Sequence, residues 1–431
     1  MNPFKLLFGL CLALVATGIH AAPKIASWQT TSGARVLFVE NHTLPIVDVQ
    51  VDFAAGTAHE AEGKSGVAAL TRSLLDLGVR GLDETQIASR MADLGAQLSG
   101  GTDHDRASLR LRTLSMADKR GPAFDLLRAI LSSPTFPDEV FERERARAVA
   151  GLKESLTRPD ALASQAFWAA MYPDHPYGRQ ATPESLQTLV RADVLAFHAA
   201  SYNASRATVS IVGDLSRAQA ASLAEDLTTA LPSGSASASI DVPQLPAAGE
   251  QRIAHPAAQA HLLLGLPALQ RGDPDFFPLA VGNYTLGGGG FVSRLMKEVR
   301  DQRGLAYSVY SYFMPLQQLG PFQIGLQTKK AQAGDALKVS REVLASFLAQ
   351  GPSEAELAAA KQNLIGSFPL RLDSNRKILE HVAMIGFYGL PLDYLDHYPE
   401  NIERVTVAEV RAAFARHVRP EHLVIVVVGG E

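Results

Sequence analysis

Four consecutive glycines, Gly287–Gly290, run into Phe291-Val292-Ser293 and then into a basic stretch that holds Arg300 and Tyr307. A glycine run ahead of a helix can cradle a phosphate, because bare backbone N–H groups close on an anion. Such a loop needs a Gly-Lys-Ser/Thr helix start, and no lysine stands there. That argues against a nucleotide loop. Ser293 is placed to cap a helix predicted over Arg294–Arg303, and Gly304 to end it. Arg300 then falls in the last turn and Tyr307 early on a following strand. Taken alone, these positions read as a solvated arginine favourable to the helix dipole and a half-buried strand aromatic beside Tyr310 and Tyr312.

Two other clusters carry metal-ligating types: His59 with Glu60 and Glu62, and Asp103-His104-Asp105. Surface loops of this composition are far commoner than ion sites, so the bland reading leads at both. His175 lies in the turn-like "DHPYGR" and reads as structural. His255, His261, His381 and His397 show no ligand spacing.

These residues need elements to hold them. The 431 residues, 47% hydrophobic and 19% charged, can bury large cores and imply at least two domains. A formal net charge of -4, with no long single-sign block, leaves no electrostatic footprint for nucleic acid. Residues 1–22 read as a secretory signal: Lys5, an apolar core from Leu6 to Val15, and small residues at Ala21 and Ala22. The chain is therefore expected to be secreted, and periplasmic in a Gram-negative host. The single cysteine, Cys11, falls inside that signal, so the mature chain is expected to carry no disulfide and no Cys-ligated metal. No other segment is long and apolar enough to span a membrane.

Leu231–Glu250, "LPSGSASASIDVPQLPAAGE", has the composition of a linker. The segments before it and at the chain's end resemble one another, each a helical pattern followed by an apolar strand closing on glycine, Gly213 and Gly429. Each half opens alike too, with strand-like alternation followed by helical spacing. The expected fold class is α+β: two homologous halves, residues 23–230 and 251–431, each a mainly antiparallel sheet packed with helices.

The segments "FAAGTAHEAEGKSGVA", "DHPYGRQATPESLQTLVRADVLAFH", "VSIVGDL", "LGGGGFVSRLMKEVRDQRGLAYSV" and "LVIVVVGG" carry a resemblance. Over about residues 28 to 431 the chain is similar to the insulinase or pitrilysin family of zinc peptidases, close in size to bacterial relatives of mitochondrial processing peptidase. That family places an inverted His-x-x-Glu-His box on one helix, with two histidines and a distant glutamate holding zinc and the box glutamate activating water. Here the box positions fall on Ala69, Arg72 and Ser73, and the third-ligand position on Gly151, with Glu154 nearby but displaced. No His-x-x-x-His, His-x-x-Glu-His or His-Glu-x-x-His occurs anywhere.

Some relatives work as heterodimers in which the chain without zinc keeps an arginine and tyrosine pair. The resemblance implies that this pair is Arg300 and Tyr307, donating to the carbonyl of the peptide being cut. Read from their own residue types, Gly288, Gly289 and Phe291 are expected substrate contacts, since bare glycine backbone can pass close to another chain; ordinary core packing explains Phe291 equally well. No metal or cofactor is expected in this chain, zinc being expected in a His-x-x-Glu-His-bearing partner that acts with it on unfolded peptides. A non-catalytic scaffold or peptide-holding protein of the same fold is the alternative.

Overall fold

The computed structural model describes residues 23–232, 234–236 and 239–429. The predicted signal segment lies outside the described residues. The strands are β1 (Ala26–Gln29), β2 (Arg35–Glu40), β3 (Ile46–Phe53), a small hairpin of β4 (Gly78–Val79) and β5 (Leu82–Asp83), β6 (Gln97–Thr102), β7 (Ala107–Leu114), β8 (Ala207–Gly213), β9 (Gly249–Ile253), β10 (Gln259–Leu269), β11 (Val309–Phe313), β12 (Gly320–Lys329) and β13 (Val424–Val428). One sheet has the order β1-β2-β8-β3-β7-β6 and the other β11-β12-β10-β13-β9.

The two sheets repeat one pairing scheme. β3 lies antiparallel between β7 and β8, β6 pairs antiparallel with β7, and β2 runs parallel to β8. In the second half β10 lies antiparallel between β12 and β13, β11 pairs with β12, and β9 runs parallel to β13. The protein is thus an α+β fold of two related halves, and β6 and β11 are equivalent edge strands. Between Thr229 and Gly249 the described residues form neither helix nor strand.

Seven helices bear on the site: α1 (Val67–Leu74), α2 (Asp138–Ser155), α3 (Pro159–Met171), α4 (Arg191–Ser201), α5 (Phe276–Asn283), α6 (Asn375–Tyr388) and α7 (Val407–His417). Two of them cross over. α3, from the first half, packs on β10 and β13, while α6, from the second, packs on β2, β3 and β8. Close approach is built in at glycines: a Cβ on Gly386 of α6 would sit 2.4 Å from Leu37, and one on Gly265 of β10 would sit 2.9 Å from Phe167 of α3.

The crossover explains a strand whose polar residues are buried. β3 alternates Val47, Val49, Val51 and Phe53 with Asp48, Gln50 and Asp52, a pattern that ordinarily means one wet face. All three polar residues are buried, because α6 lies over them. Their partners come from β7: Arg112 forks onto Asp48 at 2.7 and 3.0 Å, and Arg110 donates twice to Gln50 Oε1 at 3.0 and 2.7 Å. Gln50 in turn donates to Asp52 at 2.8 Å. Burial still outweighs these contacts at Asp52 and raises its carboxyl to about 6.

The halves are also joined through Asp105, which is fully buried. Its carboxylate accepts from the hydroxyls of Tyr177 (2.6 Å) and Tyr388 (2.8 Å) and from the backbone N–H of Gln317 (2.8 Å). Tyr177 belongs to the first half and the other two to the second. Asp103 serves the same turn by accepting from the N–H groups of Asp105 and Arg106. His104 stacks on Trp168 at 4.0 Å. The Asp103-His104-Asp105 cluster is therefore a joint built around a buried carboxylate, not the surface loop that its composition suggested.

Candidate functional site

The glycine run continues α5. After Asn283 the backbone widens into a π turn over Tyr284–Gly288, makes a short 3-10 turn over Gly290–Val292, and re-enters helix at Arg294. Ser293 caps that helix weakly: its hydroxyl accepts from Met296 N–H at 3.5 Å and donates to Gly290 O at 2.7 Å. The helix is not regular to Arg303 as predicted; it widens to π bonding over Met296–Asp301. Gly304, at φ +62, ends it, its N–H bonded to Arg300 O.

The glycine segment lies against the edge strand β11. Asn283 Nδ2 donates to Ser311 O at 3.1 Å, and Ser311 Oγ donates back to Asn283 Oδ1 at 2.7 Å. At Gly287 a Cβ would meet Ser311 Oγ at 2.4 Å and Ser311 N at 2.5 Å. Only hydrogen fits there. Gly287→Ala is expected to cost about 1–3 kcal/mol through overpacking, read as a lower urea midpoint; an unchanged midpoint would contradict this packing. Gly290 instead takes φ +60, and its Cβ direction is open.

Tyr307 is not on the strand, contrary to the sequence expectation. It precedes β11 by two residues and is 84% exposed. The half-buried strand aromatic is excluded with it. Arg300 stands beside it, its guanidinium carbon 5.4 Å from the Tyr307 ring centroid and 4.8 Å from that of Phe291. Phe291 is 71% exposed, so core packing does not account for it. Two such contacts, each worth about 0.5–1 kcal/mol at an exposed site, hold the guanidinium in place. Among the described residues Arg300 and Tyr307 donate no side-chain hydrogen bond, and the ion pair of Arg300 with Asp301 is long, at 3.9 Å. The two donor side chains are neighbours, and neither is spent on a hydrogen bond among the described residues. They border a cavity of about 400 Å³ that Gly288 also lines and Gly289 does not.

In the first half α1 presents Ala69 and Ser73 outward, four residues apart on one face. Neither offers a metal ligand, and Gly151 and Glu154 sit exposed on α2. The residue between them, Arg72, is buried, donating to Ser108 O of β7 at 2.8 Å and to Ser99 O of β6 at 3.0 Å. It stitches the edge strand to its neighbour, in a place where the family's chemistry asks for a carboxylate. The residues present do not fit zinc.

The other histidine and acid candidates separate. Glu60 accepts from the N–H groups of Gly66 and Ala68 at the start of α1, 3.0 and 2.9 Å away. His175 accepts from Tyr177 N–H at Nδ1 and donates from Nε2 to Asp241 O. His255 Nε2 lies 3.0 Å from Thr157 O, and exposed His397 lies beside Asp393 and Glu400. Burial pushes the His59, His261 and His381 values down. One cluster escaped sequence reading: Asp273, Asp275 and His417, which converge only through the fold. Arg416 forks onto Asp275 at 2.8 and 2.6 Å and His417 Nε2 lies 3.0 Å from the same carboxylate, which makes it an ion-pair network.

Burial raises Glu60 to about 7, above the ordinary carboxyl value, as it raises Asp52. For a raised group the stabilising contribution is complete below the unfolded pKa and is lost as pH climbs through the folded one. The urea midpoint is therefore expected to fall between pH 4.5 and pH 7, Glu60 alone contributing on the order of 3 kcal/mol. Glu60→Gln keeps an oxygen acceptor for both N–H groups and should flatten the curve. A variant as pH-dependent as wild type would refute the assignment.

The fold and site together define a two-half α+β protein in which the box positions Ala69, Arg72 and Ser73 offer no set of zinc ligands. Residues 35–183 match insulinase (peptidase family M16), and residues 188–364 match the peptidase M16 inactive domain. A crystal structure described as the peptidase M16 inactive domain from Pseudomonas fluorescens is similar with a TM-score of 0.91 and 39% identity, covering 94% of this chain and 98% of that one. The chain belongs to the M16 insulinase family. A Helicobacter pylori protein named as a non-peptidase homolog is 25% identical over 433 residues, 99% of both chains. The mitochondrial-processing peptidase subunit beta of Blastocladiella emersonii is 25% identical over 418 residues, 94% of this chain and 89% of that one.

Proposed function

We propose that this chain is the non-zinc subunit of a secreted, periplasmic, heterodimeric metallopeptidase acting on unfolded peptides. The observation that carries this reading is the pairing of Arg300 with Tyr307, neither spent on a side-chain hydrogen bond among the described residues, in a chain whose box positions are Ala69, Arg72 and Ser73. Attack on the peptide carbonyl is supported from the partner chain, which bears the His-x-x-Glu-His box and the zinc. Here the guanidinium and the phenol donate to the carbonyl oxygen as negative charge grows on it. The test is reconstitution: mix this chain with a box-bearing M16 chain from the same organism and follow cleavage of a quenched peptide. Activity is expected only from the mixture. Equal activity from the partner alone would sink the proposal.

The second reading is a peptide-holding or scaffold protein. The lost ligands favour it, as does the likeness to a protein named as a non-peptidase homolog. It is distinguished by peptide binding that no partner converts into cleavage.

A further inference from the structure

The second sheet is one strand short of the first. In the first half β2 runs parallel to β8, and β1 pairs antiparallel with the outer edge of β2. β9 holds the place of β2, parallel to β13, and among the described residues no strand lies beyond it. Its residues from Gly249 to Arg252 are all exposed. Gly249 N–H donates to Leu423 O and Gly429 N–H donates to Ile253 O, so Gly249 and Ile253 turn their backbone inward to β13. Alternation along a strand then turns the N–H and C=O groups of Glu250 and Arg252 to the outer edge. Their side chains share one face, the carboxylate and guanidinium 2.7 Å apart.

We propose that two copies of this chain join edge to edge through β9, antiparallel about a two-fold axis at Gln251. The order Glu250-Gln251-Arg252 is what makes a second copy the occupant. About that axis Gln251 meets Gln251, while Glu250 of each copy meets Arg252 of the other. The outward-facing residues thus oppose one another, the register in which each pair exchanges N–H and C=O bonds. Gln251, whose backbone turns inward, falls on the position that makes no such bond. Each carboxylate comes to lie beside a second guanidinium, and unlike charges directly opposite favour the pair. An edge of like charges would repel its own copy, one of the ways exposed edges are kept apart. The join gives β9 the antiparallel neighbour that β2 already has in β1. β9 and β11 are opposite edges of the sheet, so the contact is separate from the β11 edge beside Tyr307 and does not depend on the peptidase reading.

Sedimentation equilibrium of the purified chain gives the test. A reversible dimer is expected with Kd on the order of 10 µM, as suits a short, wet contact. Glu250→Arg places guanidinium groups opposite one another and Arg252→Glu places carboxylates opposite one another, so each variant should dimerise at least about tenfold more weakly. Both positions are exposed, and a circular dichroism spectrum equal to wild type checks that each variant is folded. An equimolar mixture of the two variants puts unlike charges opposite again and should recover the wild-type Kd to within about threefold. A wild-type chain that stays monomeric at about 100 µM overturns the proposal. So does a dimer whose Kd neither variant changes, or one that mixing the variants fails to restore.

Discussion

Arg300→Ala is expected to lower kcat/KM of the reconstituted complex at least a hundredfold while changing this chain's stability by no more than about 1 kcal/mol. The two effects part because of how Arg300 is held. Its contacts are with two exposed rings and a distant Asp301, so the fold depends little on it. Losing one donor aimed at a developing oxyanion typically costs about 3 kcal/mol of barrier. Tyr307→Phe removes only a hydroxyl, which donates to nothing among the described residues, and should act on kcat more than on KM. Measuring kcat, KM and the urea midpoint on the same preparations checks all three. Large destabilisation with intact kcat/KM in correctly folded protein would make the pair structural.

Asp105→Ala should have the largest effect on stability, about 3–5 kcal/mol. The variant leaves two phenols and a backbone N–H without their acceptor, each stranded polar group costing about 1–3 kcal/mol. The loss is felt between the halves, since Tyr388 and Gln317 belong to the second half and Asp105 and Tyr177 to the first. Denaturation followed separately by tryptophan fluorescence and by far-UV circular dichroism gives the measurement; both tryptophans, Trp28 and Trp168, lie in the first half. A shift below 1 kcal/mol would show that water replaces the carboxylate easily and that the joint is weak.

The repeat was legible because it is local. Each half ends in a helix and an apolar strand closing on glycine, and β8 and β13, the strands in question, take equivalent places in the two sheets. That Ala69, Arg72 and Ser73 offer no zinc-binding trio of imidazole and carboxylate was legible too, since a side chain's identity needs no fold to read. What stayed hidden depended on distance along the chain. α6 covers β3 from more than 300 residues away, so nothing local to β3 marks Asp48, Gln50 and Asp52 as buried. Asp103-His104-Asp105 looked like a surface loop, and nothing local marks Asp105 as a joint. Arg300 and Tyr307 could be paired by resemblance, but the exposure of Tyr307 and the Phe291 ring beside Arg300 depend on the π-widened turns, which have no strong sequence signature.

The most direct measurement is to tag this chain in its host, recover it with whatever it holds, and analyse the complex by mass spectrometry and for metal. The proposed function requires a second M16 chain bearing the His-x-x-Glu-His box, with one zinc for each pair of chains and peptide cleavage that a chelator abolishes. Recovery of this chain without such a companion, or with zinc and cleavage in the single purified chain, would contradict it.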